Sequence, residues 1–338
     1  MPGLIETGQV GAREDLSDYI VNIERTETPL FTMLPKDTVN KTHFETQVDD
    51  YGSTDDIGGV SSSEDAVDFD NMAENRGLIE NYVMKMWEKP SVDDFAENVN
   101  ENPAVQEGEY VNSVAKAIVR LKFRIEKLLL SQVQAVVQAN GAKYRTCSIG
   151  GFLSTSAPTG AQTIPSRFRT PSAQVYASTL AAFDEDDAHD ILQEIFESTH
   201  GQGKFTGIVG SELKQRFSSM SIWRPSVSNY SLVQRIDNAD TKTLETVVDV
   251  LVGDFGTVAL VPSTRVNYFD SSAAATTATL RRGSGYILDL SMWGLAFKRK
   301  PGHKRLEDAG GGPRGIVDAI FGLRCKSPLA NGAVLISS

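Results

Sequence analysis

Residues 110–141 read YVNSVAKAIVRLKFRIEKLLLSQVQAVVQANG. Val111, Val114, Ile118, Leu121, Ile125 and Leu128 recur at helical spacing, which keeps one face of a helix apolar. Val133, Val136 and Val137 continue the stripe with a small drift, while Lys116, Arg120, Lys122, Arg124 and Lys127 fall on other faces. Asn140-Gly141 predicts the C-terminal stop. The expected helix runs for roughly 30 residues and about 45 Å, where the mean globular helix has about 11–12 residues. The repeat is too short and too drifted for a coiled coil. A helix of this length is then the core helix of an α+β protein, and its neighbours must say which kind.

Upstream lies the arm, residues 13–37, REDLSDYIVNIERTETPLFTMLPKD. Leu30, Phe31, Met33 and Leu34 are apolar, yet Pro29 and Pro35 bracket them. His43–Asp49 alternate as a strand, with Phe44, Thr46 and Val48 on one face, and Leu78–Trp87 read as a second strand. Between Asp49 and Asn75 the chain carries nine acidic residues and no basic one. Two strands flanking such a connection, with no helix between them, predict one long protruding hairpin.

Downstream, residues 150–171 are rich in Thr, Ser and Pro, and a more compact α/β region follows. DEDDAHDILQEIFESTHGQG predicts a helix with Asp184 as N-cap, its acids in the first turn, Ala188, Ile191, Leu192, Ile195 and Phe196 inward, and Gly201 at its end. Phe205–Val209 reads as a strand, and Ser211 caps a second helix with Leu213 and Phe217 inward. Val247–Val252 and Thr257–Val261 read as strands joined by GDFG, with further strands at Tyr286–Leu290, Trp293–Lys298, Ile316–Cys325 and Ala333–Ile336. KRKPGHKR, residues 298–305, reads as a basic turn.

Chemistry-bearing patterns are absent. The four histidines have no metal-ligand spacing, and there is no HExxH, no GxSxG and no CxxC. HGQGKF lacks the phosphate-loop spacing and reads as a helix end. Cys147 and Cys325 read as buried or idle thiols. No apolar run is long enough to span a membrane, and the first residues lack a secretion-signal pattern. A net charge of −11 argues against a general nucleic-acid binder, but not against a container whose wall must not stick to its cargo.

The order of these parts resembles a tailed-phage major capsid protein of the Hong Kong 97-type fold, and more closely a major-head-protein family formerly known only as a domain of unknown function. The likeness rests on REDLSDYIVNIERTETPLFTMLPK, FETQVDD, ENRGLIENYVMKMWEKPSV, AIVRLKFRIEKLLL, DILQEIFE, KFTGIVGSELKQRFSSM and DVLVGDFGTVALVPSTRV, in that order along most of the chain. It implies an α+β fold with an N-arm (1–42), an extended β-hairpin loop (43–87), a peripheral domain with a long spine helix (88–164), an axial domain (165–270) and return strands of the peripheral domain (271–338).

The function implied is a self-assembling structural shell, in pentamers and hexamers, enclosing double-stranded DNA in an icosahedral head. Other implied partners are a portal, a separate scaffold and decoration proteins, with DNA touched non-specifically on the inner face. Neither membrane, cofactor, metal nor catalytic residue is expected, and the location is the virion after assembly in the host cytoplasm. Some relatives crosslink through a loop lysine; none stands between Asp49 and Asn75, so no crosslink is expected from the loop tip. Leu30, Phe31, Met33 and Leu34 in the arm, and Asp55 and Asp56 against Arg299, Lys300 and Arg305, are the expected inter-subunit contacts. An encapsulin-type compartment and an α/β enzyme with a long lid are the competing readings.

Overall fold

The computed structural model describes residues 25–51, 76–98, 108–220, 249–267, 282–307 and 310–336. Near the N-terminus a short helix α1 (Pro29–Met33) leads into strands β1 (Lys36–Thr38) and β2 (His43–Val48). Strands β3 (Gly77–Tyr82) and β4 (Met84–Glu88), helix α2 (Asp94–Asn98) and the long helix α3 (Glu109–Leu129) follow. Then come α4 (Ile149–Phe152), β5 (Val175–Tyr176), α5 (Glu185–Thr199), β6 (Gly203–Val209) and α6 (Ser211–Met220). The chain closes with β7 (Val250–Gly253), β8 (Gly256–Pro262), β9 (Gly285–Leu288), β10 (Trp293–Arg305), β11 (Gly315–Cys325) and β12 (Gly332–Val334).

The strands form a four-stranded sheet in the order β1-β10-β11-β4, a six-stranded sheet in the order β5-β12-β9-β6-β8-β7, and a separate two-stranded sheet β2-β3. The six-stranded sheet is mixed: β6 pairs parallel with β8 and antiparallel with β9. Its core gathers Phe183, Ile191, Leu192 and Ile195 around α5, Leu213 and Phe217 from α6, and Phe205, Val258 and Leu260 from the strands. Helix α5 starts as its sequence predicts, with a reciprocal capping box between Asp184 and Asp187. Its end differs: His200, not Gly201, takes the left-handed position, at φ 53°. Segment 271–338 divides between sheets, since β9 and β12 lie in the six-stranded sheet and β10 and β11 in the four-stranded one.

The long helix is shorter than expected. It has 21 residues, roughly 32 Å, and ends at Leu129. There the Ser131 hydroxyl donates to the Leu128 carbonyl at 2.6 Å and the Ser131 N–H donates to the same carbonyl, closing the last turn. Of the valines beyond, Val133 is buried, Val136 is paired to Arg145 in extended chain, and Val137 is exposed. Asn140-Gly141 is therefore a hairpin turn rather than a helix stop. Ala142 N–H bonds Ala139 C=O, and Gly141 at φ +85° supplies the positive φ such a turn needs.

Two further expectations change. Leu78–Trp87 is not one strand, because the inward phase runs Ile79, Asn81, Val83 and then Met86. That slip of one residue at Val83 sends β3 and β4 to different sheets. The basic segment 298–305 is no turn but the continuation of β10. Strand β1 covers β10 only from Leu295 to Phe297. Beyond that point β10 has an open edge among the described residues, where Pro301 is tolerated.

The described residues fall into two compact units. The larger holds residues 28–51, 76–86, 121–220, 249–267, 282–302 and 318–336, and with them the six-stranded sheet and α1. The smaller holds 25–27, 87–98, 108–120, 303–307 and 310–317. Within it, Val92 N–H donates to Pro313 C=O, Gly315 N–H donates to Pro90 C=O, Arg120 pairs with Glu88 at 3.9 Å, and the Tyr110 hydroxyl meets His303 Nε2 at 2.9 Å.

Candidate assembly surfaces

The arm segment explains its own prolines. Pro29 opens α1, where its missing N–H is one the helix would leave unpaired anyway. Pro35 follows the C-cap Leu34 and prevents continuation. Its carbonyl accepts from Leu295 N–H at 2.8 Å, so the chain leaves the helix straight into β1 beside β10. Leu30, Phe31 and Leu34 are buried under this chain's own residues, with the Phe31 ring edge-on to Phe297. Of the four arm residues expected at a subunit boundary, Met33 is the one left exposed, at 40 %.

What holds α1 in place is Glu126, a fully buried carboxylate on α3. Its Oε2 accepts the Phe31 N–H at 3.1 Å and its Oε1 accepts the Ser263 hydroxyl at 3.3 Å. Burial pushes the Glu126 carboxyl above its usual range, opposed by N–H donation from Phe31 and Leu30, by Ser263 and by the charge of Arg265. The sequence reading missed this residue, although a signal existed. Glu126 is the only acid between Glu109 and Asp184, and it sits beside the apolar stripe.

The loop base is built by β2 and β3, paired from His43↔Tyr82 to Val48↔Gly77. Phe44 lies on Gly322 of β11, where a Cβ would stand 2.6 Å from its ring. Asn81 is buried and fully engaged: its Nδ2 donates to Thr146 Oγ1 and Leu323 C=O, and its Oδ1 accepts from the N–H groups of Tyr82 and Cys147. At the loop foot, Asp49 pairs with Arg76 at 3.0 Å and Asp50 pairs with Arg167. The first two of the nine loop acids are thus neutralised within the chain. Asp55 and Asp56 lie outside the described residues.

The basic residues opposite them in the sequence reading separate into different roles. Arg299 is tied to the buried Asp318, which also takes Lys85 at 3.4 Å. Lys300 is exposed. Arg305, in the smaller unit, lies over the Tyr110 ring at 5.8 Å.

Both cysteines are buried free thiols, and burial raises both well above an ordinary thiol. A thiol reagent added to native subunits should therefore label neither, and should label both after denaturation. Prompt labelling in the native state would contradict the packing.

No curated protein sequence matches the chain. Among solved structures it is similar to the capsid of the cyanophage P-SCSP1u, with 9 % identity, 99 % of this chain and 97 % of that chain covered, and a TM-score of 0.62. It is equally similar to the capsid of a native GTA particle, with 12 % identity, 98 % of each chain covered and a TM-score of 0.62. The SrpI encapsulin of Synechococcus elongatus PCC 7942 is further off, with 10 % identity, 96 % of this chain and 91 % of that chain covered, and a TM-score of 0.51. At such identities the likeness speaks for the fold alone, which is the Hong Kong 97-type. The sequence supplies the rest, because the family model described as SU10 major capsid protein matches residues 4–336. Fold and sequence agree, and the chain belongs to the SU10 major capsid protein family, whose members are structural subunits of the phage head.

Proposed function

We propose that this major capsid protein closes into pentamers and hexamers of an icosahedral head around double-stranded DNA. The observation that carries the proposal is the β2-β3 pair, which is a sheet of two strands by itself. A two-stranded ribbon is marginal in water without packing on something else. The inner face of the pair packs on this chain's own β11 through Phe44 and Asn81; we assign the packing of its outward face to neighbouring subunits, and a heterologous contact that closes by rotation generates rings. Exposed apolar side chains mark further boundary positions, among them Met33 at 40 %, Val250 at 54 % and Val252 at 72 % in the larger unit, and Phe95 at 81 % in the smaller. Val250 and Val252 lie on β7, the outermost strand of the six-stranded sheet. Portal, scaffold and decoration proteins are the further partners of such a shell, and packaged DNA is touched without sequence preference.

A compartment that holds protein cargo is the second reading, favoured by the likeness to the SrpI encapsulin. Cryo-electron microscopy of particles from cells expressing the chain, with assay of their nucleic acid, decides between them. Icosahedral shells with five-fold and six-fold capsomers, and DNA inside when packaging partners are present, are expected. Monomers that never assemble would refute the proposal, and shells filled with protein would favour the compartment.

A further inference from the structure

We propose that His43, Glu45 and Glu80 form a binding site for one divalent transition-metal ion of the zinc class, which staples the two strands at the foot of the extended loop. The inference stands apart from the shell reading and needs only the larger unit.

The register makes the site. His43 and Glu45 are two residues apart on β2 and therefore share a face, and Glu80 stands directly opposite Glu45 on β3. Like charges directly opposite each other weaken a strand pair, so the sequence places a repulsion where the hairpin must hold. Between them stands an imidazole. His43 Nδ1 is 3.5 Å from Glu45 Oε1, and His43 Nε2 is 3.6 Å from Glu80 Oε2. Nε2 is shielded from water and has no hydrogen-bond partner. One ligand atom from each of the three residues lies within 4.8 Å of the others.

The surroundings fix two of the three ligands. The His43 ring stacks on Tyr82, with centroids 4.8 Å apart and 27° between planes. The Thr163 hydroxyl donates to Glu80 Oε2 at 2.8 Å, the kind of outer hydrogen bond that orients a metal-binding carboxylate. Glu45 is half-exposed and free to swing. A tetrahedral zinc ion with bonds of about 2.1 Å wants its donors about 3.4 Å apart, within reach of a rotation of Glu45. One imidazole with two carboxylates suits zinc or its neighbours better than calcium or magnesium, which prefer an all-oxygen set. The fourth position stays open for water.

Zinc chloride titrated into the purified full-length chain at neutral pH should bind one ion per chain in calorimetry. Cobalt(II) in the same site should show the visible absorption of a four-coordinate complex. His43→Ala and Glu80→Gln should each weaken binding about tenfold or more. Glu45→Gln, which cannot disturb packing, should weaken it while leaving the circular dichroism spectrum unchanged. Zinc should raise the melting temperature of the parent chain and not of His43→Ala. Absence of heat and of a cobalt spectrum overturns the proposal, and so does equal binding by parent and His43→Ala, which would place the ion on acids elsewhere.

Discussion

Glu126→Ala should destabilise the subunit by about 2 kcal/mol and open the arm to trypsin at Lys36. Opposing terms set the size. Removing the carboxylate orphans the Phe31 N–H it holds at 3.1 Å and leaves the Ser263 hydroxyl without that partner. Each buried donor left unpaired costs about 1–3 kcal/mol. Against this, a fully buried charge is itself expensive, and its removal returns part of the loss. Leu30, Phe31 and Leu34 keep their burial only while α1 stays docked. Cleavage after Lys36 requires β1 to leave β10, so a fragment beginning at Asp37 reports release of the arm. Resistance equal to that of the parent chain would show that apolar burial holds the arm without Glu126.

The same residue gives a pH dependence with a definite sign. Burial raises the carboxyl above its unfolded value, so folding takes up a proton there. Its contribution to stability is greatest at low pH and falls as pH rises from the unfolded carboxylate value through the raised one. Glu126→Gln is neutral and nearly isosteric, and should flatten that part of a denaturation series run across the window. A parent curve with no such slope would count against the raised value.

Much of this was readable in the residues because short-range rules carried it. Asp184 read as the N-cap of α5, and of the five residues placed on its inward face by spacing Ala188, Ile191, Leu192 and Ile195 are buried while Phe196 is half-buried. The errors fall where a local signal has two physical uses. Asn-Gly ends helices and also turns hairpins; at 140–141 it does the second, because Ser131 had already closed α3. Pro301-Gly302 usually breaks a strand, but the edge beyond Phe297, open among the described residues, removes the penalty. The arm's apolar residues were legible as wanting burial, while the surface that buries them was not, since it is made by Phe297 and Glu126, distant in sequence. The metal-ligand trio escaped for the same reason: His43 and Glu80 meet only through strand register.

Asn81→Leu should cost about 3–4 kcal/mol, the largest loss expected from a single polar side chain near the loop. Every hydrogen-bonding site that Asn81 uses has a named partner, and the partners lie on three stretches of chain. Leucine keeps the volume but orphans the Cys147 N–H and the Leu323 C=O, which nothing apolar can replace. Thr146 Oγ1 retains the Leu323 N–H, so that bond survives and bounds the damage. Unfolding of unassembled subunits can be followed at Trp293, which is fully buried and donates to Asn331. Gln193→Ala, which removes only an exposed bond to Glu197, serves as the control and should stay within about 0.5 kcal/mol of the parent chain. Because Asn81 anchors β3 to β11 and to residues 146–147, its loss should also free the loop base. Assembly should then fail at a denaturant concentration where subunits are still folded. If Asn81→Leu assembles like the parent chain while losing the expected stability, the loop base is held by its neighbours in the shell rather than by its own subunit.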